Sequence, residues 1–154
     1  MTTITTTFSH RQLAVNCFNA VWDLLDLNDR TKEEEEKMIH LGHTSFWHWT
    51  QVEEHTAKNL SIGYWQLSRV YAIAGLGERS LYYAKRCLSV SLENDIEPFY
   101  IGYAYEALSR ANALLGYTES SIEQAEQASE YAKKVGDEAS KEMLMKDLQE
   151  IERN

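Results

Sequence analysis

Three histidines and two tryptophans lie within eleven residues of the sequence, in the stretch IHLGHTSFWHW from residue 39 to residue 49. If this stretch is helical, Glu36, His40 and His43 share one face, because they follow one another at four and three residues. One carboxylate and two imidazoles are ligands that a divalent metal such as zinc or iron accepts. A further ligand would have to come from another helix, and the sequence does not indicate which one.

The same side chains also fit a helix that packs on two sides, since imidazole and indole fill space while they make hydrogen bonds. Projection of the helix places the main core face at Met38, Ile39, Leu41, Ser45, Phe46 and Trp49. We therefore predict packing for the second face and expect no metal or other cofactor. A metal-dependent enzyme or a small-ligand site at Glu36, His40 and His43 is the alternative.

Motifs of catalysis are otherwise absent from the sequence. It contains no Gly-rich phosphate loop and no H-E-x-x-H, G-x-S-x-G or C-x-x-C element. Cys17 and Cys87 are far apart and fall in apolar helical patterns, which favours two buried reduced thiols over a disulfide. We predict that the protein is not an enzyme.

Composition favours an all-α fold in one domain, because the 154 residues are 44% hydrophobic and include one proline and seven glycines. A formal net charge of -9 disfavours nucleic acid as a partner. No apolar run approaches the roughly 20 residues of a membrane helix, and the first residues, MTTITTTFSH, lack the features of a secretory signal. These observations predict a cytoplasmic protein that binds neither nucleic acid nor membranes.

Seven helices are predicted from apolar periodicity and capping residues, over about residues 9–28, 31–52, 57–74, 78–93, 98–115, 118–136 and 138–153. Ser9, Thr31 and Thr118 are expected to cap helices, Pro98 to begin one and Gly136 to end one. A single domain over residues 1–154 would then contain a disordered lead-in (1–8), helix pairs at 9–56, 57–97 and 98–137, and a capping helix at 138–154.

The chain also repeats itself at a constant offset, which carries Tyr64 onto Tyr105. The segment YWQLSRVYAIAGLGERSLYYA from Tyr64 aligns with YEALSRANALLGYTESSIEQA from Tyr105. Identical pairs are Leu67 and Leu108, Ser68 and Ser109, Arg69 and Arg110, Ala72 and Ala113, Gly75 and Gly116, Glu78 and Glu119, Ser80 and Ser121, and Ala84 and Ala125. Such a repeat is typical of stacked helix pairs, because one pair cannot bury its own apolar face.

The repeat resembles the tetratricopeptide repeat family, whose opening W-x2-L-G-x2-Y is approximated by Tyr64, Leu67, Ser68 and Tyr71. In the second copy Asn112 replaces the tyrosine. The offset exceeds the family's usual length of about 34 residues, which indicates a long-helix, bacterial variant. The resemblance covers about residues 62–136 and implies a right-handed array of antiparallel helix pairs, an α-solenoid.

This resemblance implies that the first helix of each pair lines a concave groove. Trp65 and Arg69 would then lie beside Tyr103, Glu106 and Arg110. The two guanidiniums would form a local positive strip able to hold a carboxylate, and the two aromatic rings would be flat apolar anchors. We predict a non-catalytic module that binds a protein or peptide segment with an acidic group.

Two further possibilities follow from the same residues. Arg69 and Arg110 could instead both pair with Glu106 as a structural clasp. A short array could also pair through an exposed end as a symmetric homodimer.

Overall fold

The computed structural model describes residues 3–153, and within them the fold is all-α, with seven helices and no strand. The helices are α1 (His10–Leu25), α2 (Lys32–Gln51), α3 (Ala57–Ile73), α4 (Gly77–Glu93), α5 (Pro98–Leu114), α6 (Thr118–Ala132) and α7 (Glu138–Gln149). The prediction of an all-helical chain is thus confirmed for this range. Residues 3–9 have no regular secondary structure, and the first two residues of the predicted lead-in lie outside the described residues. None of the seven helices is both long and apolar enough to cross a membrane.

Capping side chains explain where the first two helices begin. The Ser9 hydroxyl accepts a hydrogen bond from the Gln12 backbone N–H at 3.1 Å, and the Gln12 side chain accepts one from the Ser9 N–H at 3.0 Å. Thr31 and Glu34 form the same reciprocal pair at the start of α2. Each pair satisfies two backbone donors that a helix N-terminus leaves without partners. Pro98 is the first residue of α5, as predicted.

Two helix ends differ from the prediction in the second half of the chain. Tyr117 rather than Thr118 is the N-cap of α6, and no side-chain hydrogen bond caps this helix. The helix ends at Ala132 rather than Gly136, because the next residues tighten into turns in which the Val135 N–H donates to the Ala132 carbonyl.

The first and last helices are also shorter than predicted. α1 ends at Leu25 instead of near Asn28. At this helix end the Arg30 guanidinium donates to the carbonyls of Leu24, Leu25 and Leu27. A cation that satisfies terminal carbonyls stabilises this helix end. α7 ends at Gln149 instead of Arg153.

The chain forms two compact units, Met1–His55 and Thr56–Asn154. In the first unit α1 packs against α2, with Ala14, Val21 and Met38 fully buried and the Ser45 hydroxyl donating to the Ala14 carbonyl at 2.7 Å. In the second unit α3 packs against α4 and α5, and α5 also packs against α4, α6 and α7. Adjacent helices therefore pair in both units.

The sequence repeat is also a repeat in structure. The offset that carries Tyr64 onto Tyr105 carries both ends of α3 onto the corresponding ends of α5, and the start of α4 onto the start of α6. Gly75 and Gly116 both adopt a positive φ, +77° and +84°, in the left-handed region that glycine tolerates best. The turn that ends the first helix of each pair is consequently the same.

A reciprocal serine pair joins the two helices of each copy. The Ser68 hydroxyl donates to the Ser80 carbonyl at 2.9 Å, and the Ser80 hydroxyl donates to the Ser68 carbonyl at 2.8 Å. Ser109 and Ser121 make the same two bonds at 2.7 and 2.8 Å. All four serines are buried, so these bonds satisfy hydroxyl groups where two helix backbones approach closely.

Candidate functional site

The five residues predicted to bind a partner come together on α3 and α5. The Trp65 indole N–H donates to Glu106 Oε2 at 3.1 Å. The rings of Trp65 and Tyr103 meet edge to face, with centroids 5.5 Å apart. The Arg69 guanidinium lies over the Trp65 ring, 5.3 Å from its centroid. α3 supplies Trp65 and Arg69, while α5 supplies Tyr103, Glu106 and Arg110.

Glu106 is the centre of this cluster, and its side chain is fully buried. Arg110 lies one turn further along α5, and its Nε donates to Glu106 Oε1 at 2.9 Å. A terminal nitrogen of Arg110 also lies 2.9 Å from Oε1. A terminal nitrogen of Arg69 lies 3.8 Å from that oxygen. A buried carboxylate requires such partners because its desolvation costs several kcal/mol. Both ion pairs of the structural clasp are therefore present.

Asp147 on α7 completes the cluster, although it is not among the site residues predicted from the sequence. The Tyr103 hydroxyl donates to Asp147 Oδ2 at 2.6 Å, and a terminal nitrogen of Arg69 lies 3.6 Å from Oδ1. Arg110 donates to the Asp147 backbone carbonyl at 3.3 Å. Asp147 follows Glu106 by the same offset that separates Glu106 from Trp65. Extension of the repeat offset into the last helix would have identified it.

The formal charges of the cluster cancel, because two guanidiniums face two carboxylates. The predicted positive strip is therefore balanced by Glu106 and Asp147. Burial and the hydrogen bond to the Asp147 carboxylate raise the pKa of Tyr103 well above its usual range, so its hydroxyl keeps its proton and serves as a donor.

Arg69 is the least satisfied member of the cluster. Its distances of 3.6 and 3.8 Å to the two carboxylates exceed those of a hydrogen bond. Its buried Nε has no hydrogen-bond partner among the described residues. Its side chain is 15% exposed. Arg110, in contrast, donates hydrogen bonds to both Glu106 and Asp147. Arg69 thus retains donor capacity next to an aromatic pair.

The histidine-rich face of α2 carries Glu36, His40 and His43, the residues of the alternative metal site. Among the described residues, no three His, Cys, Asp or Glu side chains are grouped so that they could hold a metal ion. Glu36 and His40 are exposed and His43 is half-buried. The predicted packing of this face therefore fails for Glu36 and His40, whereas Trp47, although 55% exposed, packs in part.

A different histidine pair, which the spacing on α2 could not reveal, joins α1 to α2. His10 Nδ1 and His48 Nδ1 lie 2.9 Å apart, a hydrogen bond in which one ring donates and the other accepts. The Trp47 ring contacts both imidazoles, with centroids 5.7 Å from His10 and 5.0 Å from His48. These contacts stabilise the packing of the first unit.

Neither cysteine forms a disulfide, as predicted. Cys87 is completely buried and donates to the Ser61 carbonyl at 3.3 Å. Burial raises the pKa of its thiol to about 12, so it is an inert thiol rather than a nucleophile. Cys17 is half-buried, and burial also raises its pKa.

Comparison with known proteins assigns no family to this chain. No protein-family model, curated protein or solved structure matches it. Any functional assignment therefore depends on the residues and contacts described above.

Proposed function

We propose that this protein is a non-catalytic interaction module that binds a segment of a partner protein or a peptide at the α3–α5 cluster. The proposal includes a tetratricopeptide-like, right-handed array of the helix pairs, with α3 and α5 as the helices that face the partner. It is supported by the two matching helix pairs and by the direct packing of α3 on α5. Trp65, Arg69, Tyr103, Glu106 and Arg110 are the proposed partner-binding residues.

The incomplete hydrogen bonding of Arg69 is the observation that carries this proposal. A guanidinium with unused donors binds a carboxylate in a planar, two-point geometry. Trp65 lies beside it, is partly exposed and offers apolar surface to the residues that flank the acidic group, whereas Tyr103 is buried and supports the Trp65 ring. Glu106 and Arg110 hold these groups in place through shorter bonds.

An incoming acidic group would compete with Asp147 for Arg69. Asp147 Oδ1 lies 3.6 Å from the guanidinium, whereas its other oxygen is held by Tyr103 at 2.6 Å. A partner carboxylate could therefore approach Arg69 without loss of the Tyr103 bond. Because the cluster is neutral, the gain would come from hydrogen-bond geometry and apolar contact rather than from net charge.

Quantitative affinity capture from the source cell tests the proposal. Wild type would be compared with Arg69→Gln, and with Lys133→Gln as a control that removes an exposed charge at the C-terminal end of α6. We expect a specific partner to be captured at least about ten-fold less by Arg69→Gln, since a charge-assisted bond contributes about 1.5–3 kcal/mol. Capture by the control should equal that of wild type.

Thermal unfolding of each variant separates binding from stability. A partner that Arg69→Gln retains at the wild-type level, when both proteins are folded at the assay temperature, would refute the site. Arg69→Lys keeps the charge but loses the planar geometry, so it should bind at an intermediate level.

A further inference from the structure

The exposed side of α4 carries arginine and tyrosine at helical spacing. Arg79, Tyr82, Tyr83 and Arg86 follow one another at three, one and three residues, which places them on one face of the helix. Both arginines are exposed, and Tyr82 is 59% exposed. An exposed face of this composition is unusual in a chain with a net charge of -9.

Two tyrosines of α3 connect these residues into a ladder. The Tyr83 ring stacks on Tyr71, with centroids 5.7 Å apart and planes 6° from parallel, and on Tyr64 at 6.2 Å. The Arg79 guanidinium lies 5.9 Å from the Tyr71 ring centroid. Arg86 lies 5.3 Å from the Tyr64 ring and donates to its hydroxyl at 3.3 Å. We call these residues, with Tyr82, the arginine–tyrosine ladder.

The second copy of the repeat shows that packing does not require the ladder. The positions of the second copy that are equivalent to Arg79, Tyr82, Tyr83 and Arg86 hold Ser120, Glu123, Gln124 and Gln127. Where Tyr71 stacks on Tyr83, the second copy has a 2.6 Å contact between the amides of Asn112 and Gln124. The same helix pair thus forms with no arginine and one acidic residue on this face. The ladder is a feature of one copy only.

No carboxylate of the described residues forms an ion pair with the positive charge of this face, and Glu93 acts on Arg86 only at longer range. Among residues 3–153, Arg79, Lys85 and Arg86 form no ion pair with a carboxylate, and all three are exposed. Tyrosine rings hold the two exposed guanidiniums by cation–π contact, which fixes their position, and Arg86 also donates to the Tyr64 hydroxyl. Oriented guanidiniums of this kind recognise carboxylates.

We propose that the arginine–tyrosine ladder is a second interaction surface, which binds an extended acidic segment of a partner protein. Arg79 and Arg86 are seven residues apart on α4, or about 10 Å along the helix axis. In a chain extended in the polyproline II conformation, three residues make one turn and rise about 9 Å, so side chains three positions apart point to the same side at about this distance. The segment would therefore carry two carboxylates three residues apart, with an aromatic or aliphatic side chain between them that packs on Tyr82. This proposal does not depend on the α3–α5 cluster.

The test is an NMR titration of the ¹⁵N-labelled protein with a synthetic peptide that repeats the sequence Glu-Phe-Gly-Glu. We expect shifts at the backbone amides of residues 79–86 and at Tyr64, and an affinity that falls as salt is added. Replacement of Arg79 by Ser and Arg86 by Gln introduces the side chains that the second copy carries. This double variant should fold normally and bind about ten-fold more weakly.

A matched control keeps the test specific. The double variant Lys133→Gln, Lys134→Gln removes the same amount of positive charge just after α6, where Lys134 lies over the Tyr131 ring. This control should bind like wild type. Equal affinity of wild type and the α4 double variant would overturn the proposal, as would the absence of shifts on α4 at millimolar peptide. Equal binding of a peptide with Gln in place of Glu would overturn the carboxylate assignment. Tighter binding of a thymidine oligonucleotide at the ladder would overturn the choice of a protein partner.

Discussion

The Trp65 indole donates to the Glu106 carboxylate at 3.1 Å, although these two residues occupy the same position in successive copies of the repeat. Equivalent residues on α3 and α5 thus contact each other, and one is a donor while the other is an acceptor. Divergence at this position allows a bond between copies that two identical side chains of either kind could not form. The polar cluster is therefore a product of differences between the copies.

Substitution of Glu106 by Gln should destabilise the protein by about 3–5 kcal/mol, because it leaves two largely buried guanidiniums with only Asp147 as a counterion. Urea unfolding followed by circular dichroism would measure the loss. Glu126→Gln, at an exposed position on α6, is the control and should change the free energy of unfolding by less than about 0.5 kcal/mol. Similar losses in the two variants would contradict the clasp.

The two serine pairs should differ in strength. Arg153 donates to the Ser121 hydroxyl at 2.7 Å and to the Ser109 hydroxyl at 3.0 Å, whereas no cation among the described residues donates to Ser68 or Ser80. We expect Ser68→Ala to cost about 1 kcal/mol and Ser109→Ala about 2–3 kcal/mol, since bonds to charged groups are stronger.

A double-mutant cycle of Ser109→Ala with Arg153→Ala measures this difference. It should give a coupling energy of about 1–2 kcal/mol. A coupling near zero would show that the contact with Arg153 contributes nothing to stability.

Local signals in the sequence predicted the helices well. Apolar periodicity, the caps at Ser9 and Thr31, and the glycine turns depend on neighbouring residues, so they can be recognised in the sequence. The ends of α1 and α7 could not be predicted in the same way. The end of α1 involves the Arg30 side chain, which reaches back to terminal carbonyls in the folded chain.

The residues of the candidate site on α3 and α5, which the repeat relates, could be predicted from the sequence, whereas the residue on α7 was not predicted. The repeat offset and the family resemblance placed Trp65 and Arg69 next to Glu106. Asp147 was missed because α7 shares little identity with α5 and was given only a capping role. The contact between His10 and His48 joins two helices outside the clear repeat, so no spacing in the sequence indicates it.

Gly102 permits the close packing of α5 against α7. A Cβ atom at this position would lie 2.7 Å from Leu144 Cδ2, and Leu144 is fully buried. Gly102→Ala should lower the free energy of unfolding by about 1–3 kcal/mol, because the leucine must shift within a closed core. A Cβ atom at Gly136 would meet no other atom within 4 Å, so Gly136→Ala should leave the free energy of unfolding unchanged or raise it slightly. Thermal unfolding of both variants would show whether close packing is the cause.

Cys87 should react with a thiol reagent only after unfolding. Its pKa is raised to about 12, so at pH 8 almost none of the folded protein carries the thiolate. A titration with a chromogenic disulfide should detect at most one thiol, Cys17, in the native protein and two thiols in denaturant. Rapid native reaction of both would contradict the burial of Cys87.

The raised pKa of Cys87 also predicts that the folded protein loses stability at alkaline pH. In the unfolded chain the thiol ionises near its ordinary pKa of 9.0, whereas in the folded protein it stays protonated until about pH 12. The stabilising contribution of the neutral thiol is therefore present below pH 9 and is lost as the pH rises to 12. Cys87→Ala should remove this part of the pH dependence, measured by unfolding at several pH values.

Site-specific photo-crosslinking tests the proposed function most directly. A photoreactive amino acid would replace Ala72, which lies one turn beyond Arg69 on α3, and Gln127 on α6 would be the control position. We predict that the Ala72 position crosslinks a partner segment with an aspartate, a glutamate or a terminal carboxylate within a few residues of the crosslink, and that Gln127 does not. Equal crosslinking from both positions, or a segment without an acidic group at Ala72, would contradict the proposal.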